Sequence, residues 1–125
     1  MTEKQIIEGN LKVAKMIGCE VLSDGNVTLP DWFEEASWNE INEKRLKFHC
    51  DYNWFHAALK FFFNYVEQQR LKGGLPAFAI QTQVLTPMAV NWKKYYALFL
   101  EGNLLGLFEH FLIYVDWYNI NKSKF

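Results

Sequence analysis

The chain has neither a long apolar run nor an excess of charge of either sign. Its longest uninterrupted apolar segment covers residues 95–100, whereas a membrane span needs about 20 residues. The 13 basic and 14 acidic residues give a net charge of −1. The basic residues are scattered along the chain, without the basic face that is typical of nucleic-acid-binding proteins. We therefore expect no membrane partner and no nucleic-acid partner.

Cysteine is also scarce. Cys19 and Cys50 are the two cysteines, too few for a disulfide framework. The N-terminus lacks the basic-then-apolar layout of a signal peptide. These observations predict a cytoplasmic protein with free thiols. Half of the residues are hydrophobic, which predicts one folded domain over residues 1–125.

The sequence lacks the common catalytic and cofactor motifs. It contains no Gly-x-Gly-x-x-Gly, no Walker loop and no His-Glu-x-x-His. His49, Cys50 and Asp51 form a run that His56 follows, but strand alternation would point His49 and Cys50 to opposite faces. The same alternation predicts that Cys50 is a small buried hydrophobe rather than a nucleophile. We therefore expect no catalytic residues, no metal and no cofactor.

The first third of the chain predicts a helix and a hairpin. Thr2 and Gln5 form a capping-box pattern before an amphipathic stretch, which predicts a helix over residues 3–17. Residues 19–22 and 27–29 flank a Ser-Asp-Gly-Asn turn and are predicted to pair as short strands. The acidic, aromatic segment that follows has no clear period. It is predicted to be irregular, with its large side chains covering the sheet: Trp32, Phe33 and Trp38.

Residues 46–50 alternate between apolar and polar side chains, which predicts a half-buried strand. Asp51 is suited to cap a second helix, and Gly73 is suited to end it.

The last third predicts two strands and a helix. Residues 78–85 and 92–100 are predicted strands that pair across the loop between them. A third helix is predicted over residues 104–118. The expected fold class is α+β: a small antiparallel sheet of three to five strands packed with three helices, in the order α-(ββ)-β-α-β-β-α.

Helical projection predicts one group of exposed apolar residues. Ile113 and Trp117 share a sector of the third helix with His110 and other polar residues, so they are expected to be exposed unless something covers them. Trp54 flanks the buried stripe of the second helix. The candidate interface residues are thus Trp54, His110, Ile113 and Trp117.

Asn10 lies in the apolar stripe of the first helix, where a buried amide needs a hydrogen-bond partner. We expect a bond to a loop backbone. The alternative is a polar group that lines a pocket between the sheet and the aromatic helices. The candidate pocket residues are Asn10, His49, Tyr95 and Tyr96.

Several short stretches resemble a group of small uncharacterised proteins from phages, prophages and other mobile elements of bacteria, some of them described as α-β-α sandwiches. The matching stretches are residues 6–10 with 16–18, 46–49 with 51–54, and 115–122. The resemblance implies an α/β sandwich and a mobile-element origin. It implies no catalytic residues.

Two functions remain open at this stage. The first is a non-enzymatic interaction or accessory protein that binds an unknown protein partner or a second copy through exposed aromatic and apolar helix surface. The alternative is a small-ligand-binding domain or minor enzyme, with a pocket between the sheet and the aromatic helices.

Overall fold

The structure, a computed structural model, describes residues 1–36 and 39–124. Helix α1 is Glu3–Met16. The predicted capping box is confirmed, since Thr2 Oγ1 accepts from the Gln5 amide at 3.2 Å and Gln5 Oε1 accepts from the Thr2 amide at 2.8 Å. Gly18, at φ +93°, adopts the left-handed conformation that glycine favours after a helix.

Three short strands follow and form an antiparallel sheet in the order β1-β2-β3. Strand β1 is Glu20–Val21, β2 is Asn26–Thr28 and β3 is Glu40–Asn42. Val27 pairs with Val21 on one side and with Ile41 on the other. The predicted hairpin is confirmed, and the third strand lies earlier in the chain than predicted.

The predicted strand at residues 46–50 is wrong. A 3₁₀ turn, Glu43–Arg45, leads into a further turn in which the Cys50 and Asp51 amides both donate to the Lys47 carbonyl. Leu46 and Phe48 are buried, as the alternation predicted. Cys50 is exposed rather than buried, because the backbone turns before it.

Helix α2, Tyr52–Lys72, begins at the predicted cap. Asp51 Oδ1 accepts from the amides of Asn53 at 2.9 Å and Trp54 at 3.4 Å. Gly73, with φ +68°, ends the helix where the sequence predicted.

The two predicted strands of the last third are wrong, since both segments are helical. Helix α3 is Gly74–Ile80, a π-helical turn covers Gln81–Leu85, and α4 is Thr86–Val90. The π turn ends two residues before Pro87, whose ring would clash with the Gln83 carbonyl in an unbroken α-helix. Helix α5 is Trp92–Leu100 and α6 is Leu104–Asn121.

The molecule is α+β, with a three-stranded antiparallel sheet beside a helical body. Helices α1, α2 and α6 contribute most of the core, which is rich in aromatic side chains. Phe62 and Phe55 of α2 contact Phe111 of α6 edge to face, at centroid distances of 5.8 and 5.6 Å. Among the described residues, no helix combines the length and the apolar character needed to cross a membrane.

The aromatic segment after the hairpin packs on α2. Phe33 is buried against Phe48 and Trp54. Trp32 remains about half exposed and stacks on Phe61 of α2 at 5.8 Å. The predicted position of Trp38 over the sheet lies outside the described residues.

Candidate functional site

An apolar groove opens between α2, the α4–α5 segment and α6. Its volume is about 580 Å³, within the range of ligand pockets. Every described residue on its wall is apolar or aromatic. We call it the aromatic groove and define it by these residues: Tyr52, Phe55, Leu59, Phe63, Leu85, Met88, Ala89, Trp92, Tyr95, Tyr96, Phe99, Leu107 and Phe111.

Five large side chains of the groove remain open to solvent, and we call them the rim. The exposed fractions are 53% for Tyr52, 40% for Phe63, 55% for Trp92, 54% for Tyr96 and 56% for Phe99. Aromatic side chains are usually well buried. Five on one face therefore form an uncovered apolar patch.

Helix α5 supplies three of the rim residues. Trp92, Tyr96 and Phe99 follow the spacing that places side chains on one helix face, and the rings of Trp92 and Tyr96 lie 5.8 Å apart. This face lines the groove, yet every residue of α5 is exposed or half-buried. The helix therefore presents an apolar stripe that the rest of the chain covers only in part.

Tyr95 marks the inner end of the groove. Its ring lies 4.6 Å from that of His110. Its hydroxyl is buried and faces the Tyr114 hydroxyl. Burial raises the pKa of Tyr95, with a further contribution from Tyr114. Burial, together with the charge of Lys94, lowers the pKa of His110. Both rings are therefore neutral at neutral pH.

The structure divides the predicted pocket residues between two places. Tyr95 and Tyr96 line the aromatic groove, whereas Asn10 and His49 meet on the other side of the core. Asn10 Nδ2 donates to the Leu46 carbonyl at 3.2 Å and lies 2.9 Å from His49 Nδ1. The expected bond from Asn10 to a loop backbone is thus present, and a side-chain partner accompanies it.

The predicted interface residues do not form one patch. Trp54 is buried, against Phe33 and Phe48, so its predicted exposure is wrong. Ile113 is exposed, whereas Trp117 is half-buried and its Nε1 donates to Gln83 Oε1 at 2.8 Å. His110 is half-buried beside Tyr95. Of the four, Ile113 alone is an open apolar side chain.

The thiols have different environments. Cys19 is half-buried, and burial raises its pKa to about 12. Cys50 is exposed. The described residues contain no group of three or more His, Cys, Asp or Glu side chains arranged to hold a metal ion.

Comparison with known proteins returned no match to a family model, to a curated protein or to a solved structure.

The sequence prediction missed the rim. Trp92, Tyr96 and Phe99 were assigned to a strand, in which they would not share one face. The helical spacing of these residues was the pattern that would have identified the groove.

Proposed function

We propose that this chain is a non-enzymatic interaction protein that pairs with a second copy of itself through the aromatic groove and its rim. The observation that carries the proposal is the rim: five aromatic side chains, each 40–56% exposed, around one apolar groove. A small molecule that filled the groove would leave the outward-facing surfaces of the five rim side chains exposed to solvent. A protein surface covers the groove and the rim together.

The exposed area is consistent with a second copy as the occupant. At about 200 Å² per aromatic side chain, five half-exposed rings leave on the order of 500 Å² open. A two-fold symmetric pair uses the same patch on both copies, so the rings alone bury about 1,000 Å². That total is near the lower bound for a specific interface. The patch supplies both the groove and the side chains that would fill it.

The accessory role in a phage or mobile element rests on the sequence resemblance alone. In such a role, a dimer would present two copies of every remaining surface to a further partner.

Light scattering after size-exclusion chromatography, across a concentration series, tests the pairing. We expect a dimer that dissociates on dilution. Phe99→Glu and Tyr96→Glu place charges in the apolar interface and should each weaken it at least about tenfold. Ile113→Glu is the matched control, since Ile113 is equally exposed on α6 but lies outside the groove. A wild-type protein that stays monomeric at all concentrations would contradict the proposal.

A small apolar ligand is the second candidate, because the groove volume of about 580 Å³ suits a drug-sized molecule. Titration with a fluorescent fatty-acid analogue separates the two. Saturable one-to-one binding by a monomer, lost in Leu59→Trp and Met88→Trp but kept in Phe99→Glu, would favour the ligand. If the analogue dissociated the dimer, the ligand and the second copy would share the same groove.

A further inference from the structure

A second cavity, separate from the aromatic groove, lies beneath the 3₁₀ turn and the turn before α2. Its volume is about 540 Å³. Four nitrogen-bearing side chains of one short segment contribute to its wall: Lys44, Arg45, Lys47 and His49. The turn at residues 46–50, which replaces the predicted strand, brings them to one cavity.

Positive charge predominates on this wall. Lys44, Arg45 and Lys47 form no side-chain hydrogen bond or ion pair with another described residue. Of the described residues that line the cavity, one, Glu35, is acidic. Among the described lining residues, three cations thus stand against one carboxylate, and a concave wall concentrates the field of the charges that line it.

Asn10 holds the His49 ring in one orientation at the edge of this cavity. Because the Leu46 carbonyl can only accept, the nitrogen of the Asn10 amide must face it. The same nitrogen lies 2.9 Å from His49 Nδ1, so Nδ1 accepts and the ring hydrogen is on Nε2. Asn10 therefore fixes a neutral imidazole that can donate from Nε2.

This arrangement leaves a buried polar atom unsatisfied. Asn10 is 2% exposed, and its Oδ1 has no hydrogen-bond partner among the described residues. An unpaired buried amide oxygen destabilises a fold. Through the 2.9 Å contact with His49 Nδ1, Asn10 connects the buried core to a residue that lines the cavity.

We propose that this cavity binds the phosphate group of a small phosphorylated molecule. Arg45 offers a planar fork that matches phosphate oxygens, and Lys44 and Lys47 supply point charges. The Nε2–H of His49 adds a neutral, oriented donor. No bond is made or broken, since the set contains donors and no activated nucleophile. The inference does not depend on the aromatic groove.

Calorimetry and NMR of the intact protein test the proposal, with three probes at constant ionic strength: inorganic phosphate, glucose 6-phosphate and adenosine monophosphate. We expect saturable one-to-one binding with shifts of the His49 ring resonances. Tighter binding of an ester than of inorganic phosphate would show that the cavity also holds the organic part. Equal binding would identify free phosphate as the ligand.

Arg45→Gln and Lys47→Gln should each weaken binding at least about tenfold. Both side chains are exposed, so neither change endangers the fold. Lys93→Gln, on α5 and outside the cavity, is the matched control and should bind as the wild type does. Asn10→Ala tests whether Asn10 positions the His49 ring. In this variant the ¹⁵N shifts of His49 should no longer indicate a single tautomer with its hydrogen on Nε2.

Failure of all three probes to saturate, or equal losses in Lys93→Gln, would overturn the proposal. Tight binding of a short RNA that Arg45→Gln weakens, without binding of the small phosphates, would also overturn it and assign the cations to a nucleic-acid surface. Because the test concerns a separate cavity, its failure leaves the pairing through the aromatic groove unaffected.

Discussion

Helices α1 and α5 both carry an apolar stripe, but the rest of the chain covers them to different extents. In α1, Val13 and Ala14 are fully buried. In α5, the corresponding stripe of Trp92, Tyr96 and Phe99 remains more than half exposed. The two helices also differ in composition: α1 carries charged residues along its length, whereas Lys93 and Lys94 are the charged residues of α5. The more apolar helix is thus the one that the fold leaves less covered.

The difference arises from what each helix packs against. Helix α1 approaches α6 closely at Gly9, where an added Cβ would lie 2.9 Å from the Phe108 ring. Helix α5 instead borders a groove of about 580 Å³. Side chains around unfilled space lose dispersion contacts. Apolar surface is therefore informative about binding where the fold leaves it uncovered around a groove, and α5 meets this condition.

The largest expected contrast is between Phe108 of α6 and Phe99 of α5. Phe108→Ala should lower the free energy of unfolding by about 3–5 kcal/mol, because it empties a fully buried site. Phe99→Ala should change it by less than about 1 kcal/mol in the monomer. Urea unfolding at low protein concentration measures both, since dilution removes the contribution of pairing.

Equal losses for the two substitutions would break the comparison, because they would show that Phe99 is as well packed as Phe108 in solution. The groove would then be closed, and the proposed pairing face would not exist.

Gly9→Ala tests the close approach of α1 to α6 directly. Alanine favours helix by up to about 1 kcal/mol over glycine, but its Cβ would meet Phe108 and Leu112 at 2.9 Å. Overpacking of this kind destabilises by about 1–3 kcal/mol, so we expect a net loss of about 1 kcal/mol. Glu8→Ala, exposed on the same helix, is the control and should stay within about 0.5 kcal/mol of the wild type. A stabilised Gly9→Ala would mean that α1 and α6 are loosely packed.

The elements that could be predicted from sequence are those with local determinants. The capping box at Thr2, the cap at Asp51 and the turn glycine Gly25 each act within a few residues. They set the ends of α1, α2 and the hairpin correctly. The predicted α+β class is confirmed, although it was based in part on three strands that the structure does not contain at residues 46–50, 78–85 and 92–100.

The segments that were predicted wrongly have apolar residues at spacings that fit both the helical period and the strand period. Ile80 and Val84 are both buried, and their spacing of four suits a helix face as well as a strand face. Packing against α2 favours the helix for this segment, and the sequence of the segment itself does not reveal that contact. Trp54 was misplaced for a similar reason, since Phe33 and Phe48 reach it from outside the helix.

Whether the candidate sites could be predicted depended on the same ambiguity between helix and strand. Asn10 stood out from its own helix because an amide in an apolar stripe is unusual. The cavity lined by basic residues could be predicted only with the correct structure of residues 46–50, and the rim only with that of residues 92–100. The sequence pattern predicted strands for both segments.

Cys19, which follows α1, should make the stability of this region sensitive to alkaline pH. Its folded pKa of about 12 exceeds the usual value near 8.5, so the unfolded chain loses its proton first. Stability is therefore full below pH 8.5 and declines as the pH rises toward 12. Cys19→Ala should reduce that decline in thermal unfolding measured between pH 8 and 11, whereas Cys50→Ala, at an exposed thiol, should not. Identical pH profiles for the two variants would show that Cys19 is solvated.

The smallest effect should come from the ion pair that joins α1 to α6. Lys12 Nζ lies 3.2 Å from Asp116 Oδ1, with both side chains about half exposed. Such pairs contribute roughly 0.2–1 kcal/mol and weaken with salt. A double-mutant cycle with Lys12→Ala and Asp116→Ala should give a coupling below about 0.5 kcal/mol that disappears in high salt. A coupling well above 1 kcal/mol would mean that charge, rather than packing at Gly9, holds α1 in place. The lack of an ion pair between α5 and any other described residue would then be a second reason for the exposure of α5.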